Sequence, residues 1–339
     1  MQHTPPESIE FKYKWHDETG SLTGFKHGQG SFDGLVLRVG KLEIPISNLV
    51  GFQSYENVFF LGFLDDKGRE FSVNIEVYGT DFSELHEIVN AARSRAMAEA
   101  ERTKLIKSKK LDTYRDSICP FCKSTIVLTG LPETDQVYCD FCDTLFTVGH
   151  DFATEIEKHF RICVRCGMYS RPRDFAVFYF YFLVVTFGFH HQSEKSCSGC
   201  MRKSAWKMVF GNLFGLLGFP FALLQLFRSY STSKISGSFE GLDAANLMVR
   251  RGKVAEALEK YERIMEKVPD SAGLKFNIAH GLMLKMDFPH AQQMFELALD
   301  DCSDYWPAVR GLLASLERQD KLKEAEAVRR LWGVKRNVQ

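Results

Sequence analysis

Apolar and polar positions alternate through the first eighty residues, and then the period changes. Residues 35–39 (Leu-Val-Leu-Arg-Val), 41–45, 58–63 and 70–77 are short runs rich in β-branched and aromatic side chains, as half-buried strands are. Asp33-Gly34 and the turn from Asp65 to Gly68 supply the chemistry to connect them. From Asp81 onward the spacing turns helical. Phe82, Leu85, Ile88 and Val89 recur at three and four residues, and Asp81 is placed to cap the start. The helix is expected to continue towards Lys110 through a basic stretch that reads as a solvated face or a linker.

Two apolar runs mark the middle of the chain. Residues 175–189 carry no charge, but fifteen residues fall short of the roughly twenty that a spanning helix needs. Their Tyr, Phe, Val and Thr content predicts a strand or an interfacial hairpin. Residues 208–227 form an uncharged run of twenty, which is long enough to span. Gly218-Phe-Pro220 predicts a break near its centre, and Asn212 and Gln225 each add an insertion cost. The expectation is two short helices meeting at Pro220 in a re-entrant or surface-lying element, with a full span and a soluble core as the alternatives.

The flanks of this run sharpen the picture. No acidic residue occurs from Lys195 to Phe239, whereas Lys195, Arg202, Lys203, Lys207, Arg228 and Lys234 are basic. Each such charge near an anionic bilayer contributes about 1 kcal/mol. Trp206 and Tyr230 bracket the run where interfacial aromatics belong. Lys195, Arg202, Lys203, Trp206, Lys207 and Arg228 are therefore the candidate membrane-surface residues.

A third pattern repeats. Ala257, Ala291 and Ala325 are spaced by 34 residues, and four residues after each comes Tyr261, Phe295 or Arg329. The preceding turn position holds Gly252, Met286 or Asp320. A small residue followed by an aromatic at this period resembles the tetratricopeptide repeat, and Pro269 and Asn277-Ile278-Ala279 fall at that family's terminal-proline and first-helix packing positions. Arg329 departs from the pattern as a polar capping repeat does. The resemblance covers residues 238–335 and implies an α-solenoid whose concave face holds a protein or peptide. Asn246, Arg250, His280, Arg310 and Arg318 are the candidates to line that face; the alternative is that they are ordinary solvated positions.

Composition adds the chemistry. Of nine cysteines among 339 residues, eight form four Cys-x-x-Cys pairs, and Cys302 is left over as an inert surface or core thiol. The N-terminal residues lack the charged and apolar regions of a signal peptide, so the expected location is cytoplasmic and reducing, where such pairs favour metal over disulfides. Cys119/Cys122 and Cys139/Cys142, with sixteen residues between the pairs and strand-like segments at 125–129 and 136–138, match a zinc ribbon. Cys163/Cys166 and Cys197/Cys200 would close a second ribbon around a thirty-residue loop. Two zinc ions are expected. An interleaved arrangement, with the first pair joining the third and the second the fourth, also fits the count. If the second set shares one ion, residues 175–189 cannot cross a membrane, because all four thiolates must lie on one side. His190 and His191 read as bystanders.

Residues 197–227, with their Cys-x-x-Cys, basic residues and Gly-Leu-Leu-Gly-Phe-Pro-Phe core, resemble bacterial membrane-associated zinc-ribbon proteins. Those proteins carry tryptophans where this chain has Leu216, Leu217 and Phe221. The resemblance implies membrane attachment and names no activity. At the N-terminus, several strands closed by one helix resemble a pleckstrin-homology-like barrel through element order alone. A small α+β domain without a ligand is the alternative.

The chain thus reads as a multidomain α+β protein. Residues 8–114 form a β-rich domain closed by a helix, 115–150 a first zinc ribbon and 160–203 a second ribbon with an apolar insert. Residues 204–230 form a membrane-associating segment, and 238–335 the repeats. A net charge of zero, with Asp135, Asp140 and Asp143 against only Lys123 from Cys119 to Asp143, disfavours nucleic acid. No phosphate loop, nucleophile elbow or His-Glu-x-x-His motif supports catalysis. The expected function is a non-catalytic, membrane-apposed zinc-binding adaptor that recruits a protein partner. A dithiol redox or zinc-dependent chaperone protein and a nucleic-acid-binding zinc protein are the alternatives.

Overall fold

The computed structural model describes residues 8–16, 27–55, 57–149, 154–183, 186–211, 219–231, 235 and 237–333. The chain divides into two compact units, residues 1–129 and 130–339.

In the first unit, seven strands form one antiparallel sheet. They are β1 (Ile9–His16), β2 (Gly28–Phe32), β3 (Val36–Val39), β4 (Leu42–Pro45), β5 (Leu49–Tyr55), β6 (Val58–Leu64) and β7 (Glu70–Tyr78), in the order β4-β3-β2-β1-β7-β6-β5. Side chains alternate across a strand, so Phe59, Leu61 and Phe63 of β6 share a buried face with Ile75 and Val77 of β7. In its hydrogen bonding the expected barrel is one open sheet among the described residues, with β4 and β5 at its ends.

Helix α1 (Phe82–Lys107) covers the apolar face with Leu85 and Val89. Its start is set by Asp81, whose carboxylate accepts from the Ser83 and Glu84 amides. Arg93 ties the helix to β5 by donating to the Leu49 and Val50 carbonyls. Further along, the Ser94 hydroxyl accepts the Thr125 amide (2.9 Å) and holds the small hairpin of β8 (Asp116–Ile118) and β9 (Thr125–Val127) on the same helix.

The second unit begins with a four-stranded antiparallel sheet of β10 (Gln136–Cys139), β11 (Thr144–Thr147), β12 (Arg161–Ile162) and β13 (Tyr169–Ser170), with the short helix α2 (Glu155–His159) between β11 and β12. Pairing of Thr144 with Arg161 joins β11 to β12 and makes the sheet continuous. Next comes a hairpin of β14 (Arg173–Leu183) and β15 (Thr186–Ser196), paired in register from Arg173↔Ser196 to Leu183↔Thr186. This is the strand reading expected of the first apolar run.

Helices α3 (Ser198–Gly211) and α4 (Phe219–Ser231) follow and pack on each other and on β14. Pro220 lies within α4, and the expected break at Gly218-Phe-Pro220 falls at the edge of residues that lie outside the described ones. Residues 212–218, which include Asn212, lie outside the described residues, as does Lys234. Among the described residues no helix is long and apolar enough to cross a membrane.

Six helices complete the unit: α5 (Leu242–Arg250), α6 (Val254–Met265), α7 (Ala272–Leu284), α8 (Phe288–Asp301), α9 (Trp306–Arg318) and α10 (Leu322–Trp332). Ala257, Ala291 and Ala325 are fully buried where consecutive helices pack, and Tyr261 and Phe295 fill the space one turn on. The turns joining α5 to α6, α7 to α8 and α9 to α10 each place one residue in the left-handed region: Gly252 (φ 76°), Met286 (φ 59°) and Asp320 (φ 56°). An L side chain in that conformation costs about 1–2 kcal/mol, which the glycine avoids.

The four-stranded sheet lies on these helices and shares their core. The Asn277 side chain captures one residue of β13 at both ends. Its Oδ1 accepts the Tyr169 amide (2.8 Å) and its Nδ2 donates to the Tyr169 carbonyl (2.7 Å). Asn246 Nδ2 donates to the same carbonyl (2.9 Å) and is itself held by the Tyr261 hydroxyl (2.6 Å). The Tyr169 ring rests on Gly273, where any side chain would collide with it. At the other edge of the sheet, Asp304 Oδ1 accepts the Tyr138 amide (2.9 Å), and the Tyr138 and Tyr305 rings pack 5.2 Å apart. All of these groups are buried, so each bond lost would leave an unsatisfied group costing about 1–3 kcal/mol.

Two consequences are measurable by urea denaturation. Met286 is exposed, so Met286→Gly removes backbone strain with little packing loss and should stabilise the protein by up to about 1 kcal/mol; an unchanged or lower midpoint would contradict the turn geometry. Burial raises the Asp304 pKa to about 6 from a normal 3.8, against the hydrogen bond from Tyr138. The folded state therefore holds the proton more tightly than the unfolded state. This contribution is complete below about pH 4 and is lost as pH rises through about 6. Asp304→Asn keeps an acceptor for Tyr138 without the buried charge, so it should raise stability at pH 7 relative to the parent and narrow the difference at pH 4.

Candidate metal centres

Each Cys-x-x-Cys pair is shaped by its backbone. At the first, Lys123 N donates to Cys119 O (3.0 Å) and Cys119 N to Ser124 O (2.9 Å). At the third, Gly167 N donates to Cys163 O (2.8 Å) and Cys163 N to Met168 O (2.9 Å). The residue after the second cysteine is left-handed in three of the four pairs: Lys123 (φ 60°), Asp143 (φ 57°) and Gly167 (φ 67°). This tight reversal points both thiols of a pair the same way. The fourth pair differs. Cys197 precedes α3, Met201 N donates to its carbonyl (3.0 Å), and Cys200 lies in the first helical turn. That places its sulfurs at a helix N-terminus, where negative charge is favoured.

The pairs combine in sequence, which settles the interleaved alternative. Cys119, Cys122, Cys139 and Cys142 form one cluster; Cys163, Cys166, Cys197 and Cys200 form the other, and within each the sulfurs lie within 4.8 Å of one another. In the second, Sγ–Sγ separations are 3.8 Å (Cys166–Cys197) and 4.0 Å (Cys163–Cys200). A zinc tetrahedron with bonds of about 2.3 Å has edges of about 3.8 Å, whereas a disulfide needs about 2.05 Å. No cysteine is in a disulfide. The two four-cysteine clusters are therefore compatible with metal, and their all-thiolate donor sets suit zinc.

Electrostatics points the same way. Hydrogen bonds from Cys166 and then Cys197 and Cys200 hold the Cys163 thiol far below its usual range, while contact with Cys163 pushes Cys197 and Cys200 upward. Four crowded thiols cannot all ionise on their own, and a divalent cation removes that conflict. The Cys197 amide also donates to Cys163 Sγ (3.3 Å), the bond expected of a backbone amide approaching a metal-bound thiolate.

The other expected site residues are placed as follows. Asn246 is buried and spent on Tyr169, and Arg250 is half-buried with Nη1 3.7 Å from Cys197 Sγ. His280 is half-buried against Phe276, and burial lowers its pKa. Arg310 and Arg318 are exposed. Lys195, Lys203, Trp206, Lys207 and Arg228 are exposed, while Arg202 is half-buried with its guanidinium 4.0 Å over the Tyr230 ring. Cys302 is fully buried and donates to Asp304 Oδ1. Of His190 and His191 only the backbone, paired with Tyr179 and Phe178, is described. The capture of Tyr169 by Asn277 is a contact that the sequence pattern does not predict. The only sequence signal for it is an asparagine at a helix packing position, where burial obliges its amide to find partners.

The full chain should bind two zinc ions, and Cys139→Ser or Cys197→Ser should each lose one by elemental analysis, since a small ribbon has little core without its ion. Retention of both ions in either variant would refute the assignment of that cluster. No protein-family model, curated protein or solved structure matches this chain, so the reading of two zinc-compatible four-cysteine clusters rests on the geometry of its own residues.

Proposed function

We propose that the chain is a non-catalytic, membrane-apposed zinc-binding adaptor. The observation that carries this reading is the outer face of α3 and α4. Phe221, Leu224 and Phe227 recur at three residues along α4, 59–71% exposed, and Trp206 and Phe210, stacked on each other, are exposed on α3. Lys203, Lys207 and Arg228 are exposed on the same two helices, and no acidic residue occurs from Lys195 to Phe239. Apolar stripes of this kind cost solubility unless they are covered. Basic flanks and a tryptophan suit an anionic bilayer surface as the cover, with helices lying in the interface. The two ions are zinc, and they hold the ribbons that anchor this element on the cytoplasmic side.

The six C-terminal helices act in this proposal as three tetratricopeptide-like repeats, supported by the 34-residue recurrence of buried alanines and left-handed turns. Asn246 and Arg250 are engaged within the chain, so a protein partner meets the exposed Arg310 and Arg318 and the half-buried His280. The sheet of the first unit serves as a further pleckstrin-homology-like module.

Flotation of the full chain with vesicles containing about a third phosphatidylserine tests the proposal. Partial burial of the three stripe residues is worth about 1 kcal/mol each. The combined Phe221→Ser, Leu224→Ser and Phe227→Ser variant should therefore lose about a hundredfold in partitioning. Raised salt should weaken binding of the parent without abolishing it. Equal flotation of parent and variant, or no flotation of the parent, would sink the membrane reading.

A further inference from the structure

The second cysteine cluster is touched from outside by a helix that supplies none of its ligands. Helix α5 runs past it, and the guanidinium of Arg250 reaches Cys197 Sγ at 3.7 Å. The approach depends on Gly199, which lies between the two cysteines of the fourth pair. A Cβ there would stand 2.8 Å from Arg250 Nη1 and displace the guanidinium. One turn earlier on α5, Asn246 holds the Tyr169 carbonyl of β13, the strand that directly follows the Cys163/Cys166 turn. Nearer the helix start, Asp243 is hydrogen-bonded by Ser198, the first residue of α3. One face of α5 thus contacts residues beside both halves of the cluster, and of these three side chains Arg250 brings a positive charge to a sulfur.

Four thiolates around one divalent ion carry a net charge of minus two. In a buried site that excess needs compensation, because water is not there to supply it. An arginine is suited to the task, since its planar guanidinium keeps its charge when half-buried and donates several N–H groups. An N–H···S contact also withdraws electron density from the thiolate and slows its protonation and exchange.

We infer that Arg250 is the counter-cation of the loaded second cluster, a positioning residue that retains the ion and couples the C-terminal helices to it. The inference rests on the reading that this cluster holds zinc. Cadmium-loaded full-length protein offers a direct readout, with one cadmium NMR resonance per four-cysteine cluster, assigned by Cys119→Ser. Arg250→Gln should move only the second-cluster resonance and speed chelator-driven zinc release from that cluster by about 10–100-fold. Arg250→Lys, which keeps the charge but not the planar fork, should fall between, and first-cluster release should not change. If all three proteins release zinc alike with both resonances unmoved, Arg250 has no such role even though the site is real. If Arg250→Gln and Arg250→Lys are equally impaired at both clusters, Arg250 is a general packing residue and the inference fails. If the parent binds a single ion at the first cluster only, the zinc reading of the second cluster falls, and this inference with it.

Discussion

The second unit depends on the meeting of four thiols at the Cys163/Cys166 and Cys197/Cys200 pairs. One pair belongs to the turn between β12 and β13, and the other opens α3, thirty residues later. The intervening β14–β15 hairpin is a long two-stranded ribbon, and such ribbons are marginal alone. It is held at its base, where Phe175 and Val177 pack with Met201, Ala205 and Met208 of α3. Closing the cluster brings the ends of the hairpin together and fixes where α3 begins. The direction of the apolar α3–α4 pair thus follows from the meeting of the four thiols more than from local propensity.

The same constraint explains how the C-terminal helices are used. Their face is not left open along its length. Asn246 and Asn277 hold the backbone of Tyr169, Asp304 holds the backbone of Tyr138, and Gly273 leaves room for an aromatic ring. These contacts read main-chain groups that a sheet edge presents and that burial would otherwise leave unsatisfied. The helices therefore work as an internal bed for the cysteine-bearing sheet. Arg310 and Arg318 remain exposed.

The first unit is organised more conventionally, around one apolar sheet face and a single long helix. Helix α1 has a use beyond covering that face. Leu85 and Val89 serve the seven-stranded sheet, and a turn later Ser94 holds the β8–β9 hairpin that carries Cys119 and Cys122 between its strands. A rigid helix that runs past the edge of its own core can carry a second element where a flexible linker would leave it loose.

What the sequence by itself determined is whatever depends on near neighbours. Alternation marks β3, β4, β6 and β7, the change of period at Asp81 marks α1, and the small-residue recurrence at Ala257, Ala291 and Ala325 marks buried helix contacts. The Cys-x-x-Cys spacing marks the turns that pair thiols, since two thiols three residues apart need only one tight reversal. Strands β2 and β5 were less legible, because glycines at 28, 30 and 51 interrupt their apolar runs. Only the tertiary structure decided which cysteine pairs meet, since both pairings satisfy the count and the choice is made by chain segments far apart. And it turned Asn246 and Arg250 inward: from the sequence they are polar residues on a helix face, and only the sheet and the sulfurs packed against α5 give them their partners.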